Sequence, residues 1–223
     1  MTYVYQVNPR KRKKHFSSLS LNTIFIIVNV FAFIIFTLLI YLGIISIDAI
    51  AIRPSNILQG KYLWTFITSM FMHAGFFHLL VNMLSLFFVG SLVEKIIGRK
   101  RYFWFYILSG VFAGLFFVLM SLIFTADFGT YAVGASGALF ALIGLLMLLT
   151  PNLPVYLMFI PIPIKMKYAA PGMLILLWVI SIAGNVSIGN TAHLGGLVIG
   201  LLYGAFLRAR YKNKTTYIRK HFS

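Results

Sequence analysis

The chain contains no cysteine, so no disulfide, thiolate nucleophile or cysteine-bound metal is possible. Acidic residues are almost as scarce: Asp48, Glu94 and Asp127 are the only carboxylates among 223 residues. That scarcity excludes a membrane aspartyl protease, which needs two carboxylates sharing a site. A zinc protease of the His-Glu-x-x-His type is excluded too, because the motif is absent. Charged residues of both signs make up 10% of the chain, against about a quarter in a soluble domain. Hydrophobic residues reach 61% and the mean hydropathy is +0.94. Such a chain is an integral membrane protein, and its length fits one domain.

What charge there is is basic, with a formal net charge of +16. Nucleic acid is one partner for such a charge, but its distribution points to a lipid bilayer. Of the 19 Lys and Arg, 17 fall in four groups: residues 10–14, Lys95 with residues 99–101, Lys165 with Lys167, and residues 208–220. Each group flanks an apolar segment, as cytoplasmic loops do, and basic tails there contact anionic headgroups. Arg53 and Lys61 stand apart. Glu94 is expected to pair with Lys95 or Arg99.

Six apolar spans are expected, roughly at 23–45, 76–93, 102–124, 136–150, 169–183 and 191–207. The fourth is short for a helix that faces lipid. Residues 46–75, amphipathic and carrying Tyr62 and Trp64, read as a loop in the outer interface. The N-terminal region is not expected to be a cleavable signal peptide, since the apolar run after it is too long and lacks a small-residue cleavage site. Residues 1–21 are then a basic cytoplasmic segment, 22–208 the membrane domain and 209–223 a basic cytoplasmic tail. The positive-inside rule places both termini in the cytoplasm of a multi-pass cell-membrane protein.

In that topology spans two, four and six begin at the outer face, and each delivers a polar group to one level. Span two carries His78 and Asn82, span four opens with Ser136, and span six opens with His193. Ser136 lies in Gly134-Ala135-Ser136-Gly137. Small residues there serve helix packing, or they leave room around a nucleophile. Ala192, Gly196, Gly200 and Gly204 recur every four residues as one small stripe, so spans four and six can pack closely and bring His193 to Ser136 as its base. His78 and Asn82 share a helix face and both donate hydrogen bonds, which suits stabilisation of an oxyanion together with the Ser136 N–H. No acid accompanies His193, so a dyad is expected rather than a triad. Asn82 alone could instead be interhelical glue. His73 is expected to fix the loop, and no metal or organic cofactor is implied.

Gly134-Ala135-Ser136-Gly137, His193 with Gly196 and Gly200, and His78-x-x-x-Asn82 together resemble the rhomboid family of intramembrane serine proteases. The resemblance spans residues 23–207 and implies an all-α, six-transmembrane-helix bundle around a short central fourth helix. It implies Ser136 as nucleophile, His193 as general base and acid, and His78 and Asn82 as oxyanion ligands. The implied activity is endopeptidase cleavage of transmembrane segments in membrane-protein substrates. Pro54, Trp64, Phe71 and His73 resemble the family's first outer loop. Two positions depart from the usual pattern. Thr65 replaces the arginine that often follows the tryptophan, and Phe140 replaces a tyrosine that often lies beneath the histidine. The rival readings are a catalytically inactive rhomboid-like binder of membrane clients and a small transporter. The transporter predicts an internal repeat, and no polar motif is duplicated between the halves.

Overall fold

The computed structural model describes residues 19–156, 162–184 and 188–222. The basic segment expected at residues 1–21 therefore lies almost wholly outside the described residues. Seven longer helices follow one another: α1 Leu21–Tyr41, α2 Phe76–Ile97, α3 Arg99–Met120, α4 Ser136–Leu149, α5 Met166–Gly184, α6 Asn190–Arg210 and α7 Lys212–His221. Of these α1, α2, α3, α5 and α6 are long and apolar enough to cross a membrane. α4 has 14 residues, or about 21 Å of helix, against about 30 Å of bilayer hydrocarbon. The result is the expected all-α membrane bundle with a short α4. A two-stranded antiparallel ribbon, β1 Pro154–Val155 and β2 Ile164–Lys165, links α4 to α5.

The ends of the helices follow local chemistry more closely than the hydropathy does. α1 begins earlier than expected because the Ser20 hydroxyl accepts from the Thr23 N–H, satisfying an otherwise free amide. It stops at Tyr41, just ahead of Gly43 at φ +67°, a conformation that suits glycine. α6 runs on to Arg210, and the expected tail at 209–223 carries α7.

α4 occupies the centre, with Leu142 and Leu145 fully buried, and packs most extensively on α6, then on α3 and α5. Its apolar sequence surrounds it with neighbours on all sides. The small stripe of α6 makes the closest approach. A Cβ built at Gly196 would collide with the Gly137 carbonyl, and one at Gly200 with the Ala141 carbonyl. From the other side, Gly144 meets the Leu197 carbonyl. By contrast α1 and α5 are apolar and bury few of their residues, as lipid-facing helices do.

Polar hubs join the helices where hydrocarbon cannot. The buried Asn22 side chain donates to the Leu86 carbonyl at 2.8 Å and accepts from the Tyr102 hydroxyl at 2.6 Å. That inserted amide coincides with a widened π-helical turn at Leu86–Gly90, an outcome expected where a side chain competes for a helix carbonyl. Glu94 forms neither of its expected ion pairs. Its two oxygens accept from the Leu21 and Asn22 N–H groups at 3.0 and 2.8 Å, capping α1. An anion there satisfies two orphan donors and the helix dipole together, which outweighs an interfacial ion pair.

Gly200→Ala is expected to lower stability by about 1–3 kcal/mol, the usual cost of overpacking. Gly172→Ala on α5, where an added Cβ meets nothing within 4 Å, is expected to be neutral or better. Thermal unfolding of both variants in detergent checks the contrast.

Candidate active site

Ser136 is the first residue of α4, and the loop before it is held on several sides. Ala132 and Ile52 exchange backbone hydrogen bonds at 3.1 and 2.8 Å, and the Gly134 N–H donates to the Ser69 carbonyl at 2.8 Å. Arg53 Nε donates to the Gly129 carbonyl at 3.2 Å, and the Tyr131 hydroxyl donates to Asp48 at 3.0 Å. Gly134 has φ +115°, and a Cβ there would press within 3 Å of the His78 ring. Glycine is thus required twice, by the backbone angle and by the imidazole beside it.

His193 sits in the first turn of α6, buried at 5% exposure, while Ser136 is only partly buried. Its Nε2 lies 2.8 Å from the Ser136 Oγ. Phe140, one turn along α4, stacks on the imidazole with centroids 4.6 Å apart and planes 20° apart. Phenylalanine therefore keeps the ring surface beneath the histidine. Nδ1 of His193 is buried without a hydrogen-bond partner among the described residues. The pair is a dyad in geometry, with no acid on the imidazole.

His78 is close to the serine loop. Its Nδ1 accepts from the Ala74 N–H at 3.4 Å, which leaves the proton of a neutral ring on Nε2. That nitrogen lies against Gly134. Asn82 is buried, and its Nδ2 donates back to the His78 carbonyl at 2.8 Å. One amide hydrogen remains for another acceptor. No hydrogen bond links His78 or Asn82 to Ser136.

Sequence spacing missed one contact. The Thr191 hydroxyl, in the first turn of α6, donates to Asp127 at 3.0 Å across 64 residues of chain. The loop after α3 thereby holds the start of the helix that carries His193. The loop between α1 and α2 is anchored without an arginine after Trp64. Trp64 Nε1 donates to the Ala49 carbonyl at 2.9 Å, and the Thr65 hydroxyl to the Tyr62 carbonyl at 2.7 Å.

A serine hydroxyl and an imidazole thus touch where two helices of a multi-pass membrane bundle meet. A profile described as "Rhomboid domain" matches residues 60–210. Similar curated proteins include RHOMBOID-like protein 1 of Arabidopsis thaliana, 37% identical over 69% of this chain and 37% of its own length. Rhomboid protease GlpG of Yersinia pseudotuberculosis is 30% identical over 84% of this chain and 63% of its own. Rhomboid protein 1, mitochondrial, of Saccharomyces cerevisiae is 30% identical over 68% and 44%. The chain belongs to the rhomboid family. It spans less than two thirds of the length of each of these relatives.

His73, fully buried, stands edge-on between Phe33 and His78. Burial, helped by the neighbouring His78, holds its imidazole down at about 3. Below pH 6.5 the unfolded chain takes up a proton that the folded chain refuses until about pH 3. Stability from this residue is complete above 6.5 and is lost as pH falls, by about 2 kcal/mol at pH 5. Thermal unfolding at pH 7.5 and 5.0 is expected to show that loss, and His73→Phe to reduce it.

Proposed function

We propose that the chain is an intramembrane serine endopeptidase of rhomboid type, cleaving a peptide bond in or near a transmembrane segment of a membrane protein. The 2.8 Å contact between His193 Nε2 and Ser136 Oγ carries this reading. The contact also favours an active enzyme over an inactive client binder. The neutral imidazole takes the hydroxyl proton at Nε2 as Oγ attacks the carbonyl carbon, so Nδ1 bears the resting proton. The developing oxyanion accepts from the Ser136 N–H, from His78 Nε2–H and from the free Asn82 amide hydrogen. One such donor is worth about 2.7–4 kcal/mol of barrier. His193 then protonates the departing amine, leaving an acyl-enzyme on Ser136, and activates the water that releases it.

A helical substrate hides its carbonyls in its own hydrogen bonds, so it unwinds locally before attack. Small residues at the cut and helix-weakening residues beside it suit that step. The basic groups at 95–101, at 165–167 and in both terminal segments favour an orientation with the termini cytoplasmic and the Ser136 end outside. In domain terms residues 22–208 form the protease, flanked by basic segments at 1–21 and 209–223.

With a single-span model substrate in detergent, Ser136→Ala and His193→Ala are each expected to abolish cleavage. Cleavage that survives Ser136→Ala overturns the assignment. Thr191→Val, which removes the Asp127 tether without changing side-chain shape, is expected to lower kcat by up to about a hundredfold, the scale of a catalytic group misplaced by about 1 Å. KM should change little, and Thr191→Ser should restore the rate.

A further inference from the structure

At its far end from Ser136, α6 turns sharply into α7 at Tyr211, with φ −128° and ψ 48°. The elbow is built firmly. Arg101 of α3 donates to the Tyr211 hydroxyl at 3.1 Å and stacks over its ring at 5.1 Å. The buried Thr215 hydroxyl closes the first turn of α7 onto the Tyr211 and Lys212 carbonyls.

Inside the elbow is an open cavity of about 420 Å³. Ala205 and Ala209 form a small-residue floor, and Arg208, Lys212, Thr216 and Arg219 stand around it. Ala205, Arg208 and Ala209 share one face of α6, and the bend at Tyr211 brings Lys212 of α7 to the same space. The three side-chain carboxylates that could neutralise Arg208 and Lys212 are engaged elsewhere. Asp48 holds Asn56 and Tyr131, Glu94 caps α1, and Asp127 holds Thr191. Concentrated positive charge around a hollow calls for an anion with several acceptor oxygens.

The location selects the source of that anion. Arg208 lies in the last turn of a membrane-crossing helix and Lys212 opens the helix after it. Leu202 and Phe206, within two turns below Arg208 on α6, are apolar and more than half exposed. A ligand with charge at one end and hydrocarbon below it matches both features. We propose that the α6–α7 elbow binds the phosphate of an anionic phospholipid headgroup. Arg208 and Lys212 are its charged donors, and its acyl chains lie along the exposed face of α6. The site is independent of the Ser136–His193 reaction and is read by binding alone.

Native mass spectrometry of the full chain tests this, with detergent micelles doped equally with phosphatidylglycerol and phosphatidylcholine. Phosphatidylglycerol is expected to be retained selectively. Arg208→Gln with Lys212→Gln should weaken retention about thirtyfold, as expected from removing two juxtamembrane cations. Ala209→Leu, which fills the floor and keeps every charge, should weaken it as well. Lys165→Gln with Lys167→Gln should leave it unchanged. Equal retention by the elbow variants and the unmodified chain overturns the site, as does equal loss in the Lys165 and Lys167 control. Displacement of the lipid by millimolar inorganic phosphate overturns the lipid as the occupant and leaves a soluble-phosphate site.

Discussion

Backbone contact between α4 and α6 is the constraint on which the rest of the site depends. Gly196 lies on the Gly137 carbonyl and Gly200 on the Ala141 carbonyl, so neither helix can withdraw or rotate without opening a gap. Helices in lipid gain little from burying hydrocarbon against hydrocarbon, and close approach of small residues is a principal source of their association. Here the same approach fixes two side chains. Ser136 directly precedes Gly137 and His193 lies about one turn before Gly196, and their 2.8 Å separation follows from the contact of those glycines.

A short α4 requires irregular backbone beside it, and that backbone carries amides that lipid cannot satisfy. The protein meets this by pinning the loop before Ser136 to the α1–α2 loop through Ile52, Ser69, Arg53 and Asp48. With few acids available, each of the three carboxylates joins segments distant in sequence. Asp48 joins the two loops, Glu94 joins α2 to α1, and Asp127 joins the loop after α3 to α6. The site is therefore held by hydrogen bonds at its rim and by glycine packing below.

Much of this was legible in the chain itself. The five long helices and the short Ser136 helix follow from apolar runs, since a crossing segment needs an apolar stretch of fixed length. The stripe of Ala192, Gly196, Gly200 and Gly204 is a local period and predicts a close face without naming the partner. The ends of α1 and α6 were less legible, because caps such as Ser20 shift a boundary without changing hydropathy. The role of Glu94 was misjudged for a related reason. Neighbouring cations suggest an ion pair, but the orphan amides that claim it belong to residues more than 70 positions away.

The sequence alone determined that the protein lies in a membrane, which segments are apolar, and that Ser136, His193 and His78 fall in the first turns of apolar segments, with Asn82 one turn beyond His78. These are properties of composition and short periods, and solvent imposes them on any fold. Tertiary structure decided the contacts between those segments. It set the reach of His193 to Ser136, the stacking of Phe140, the tether from Asp127 to Thr191 and the elbow that gathers Arg208 and Lys212. Each depends on two stretches of chain meeting at one angle and depth, and packing fixes that relation where no single stretch encodes it.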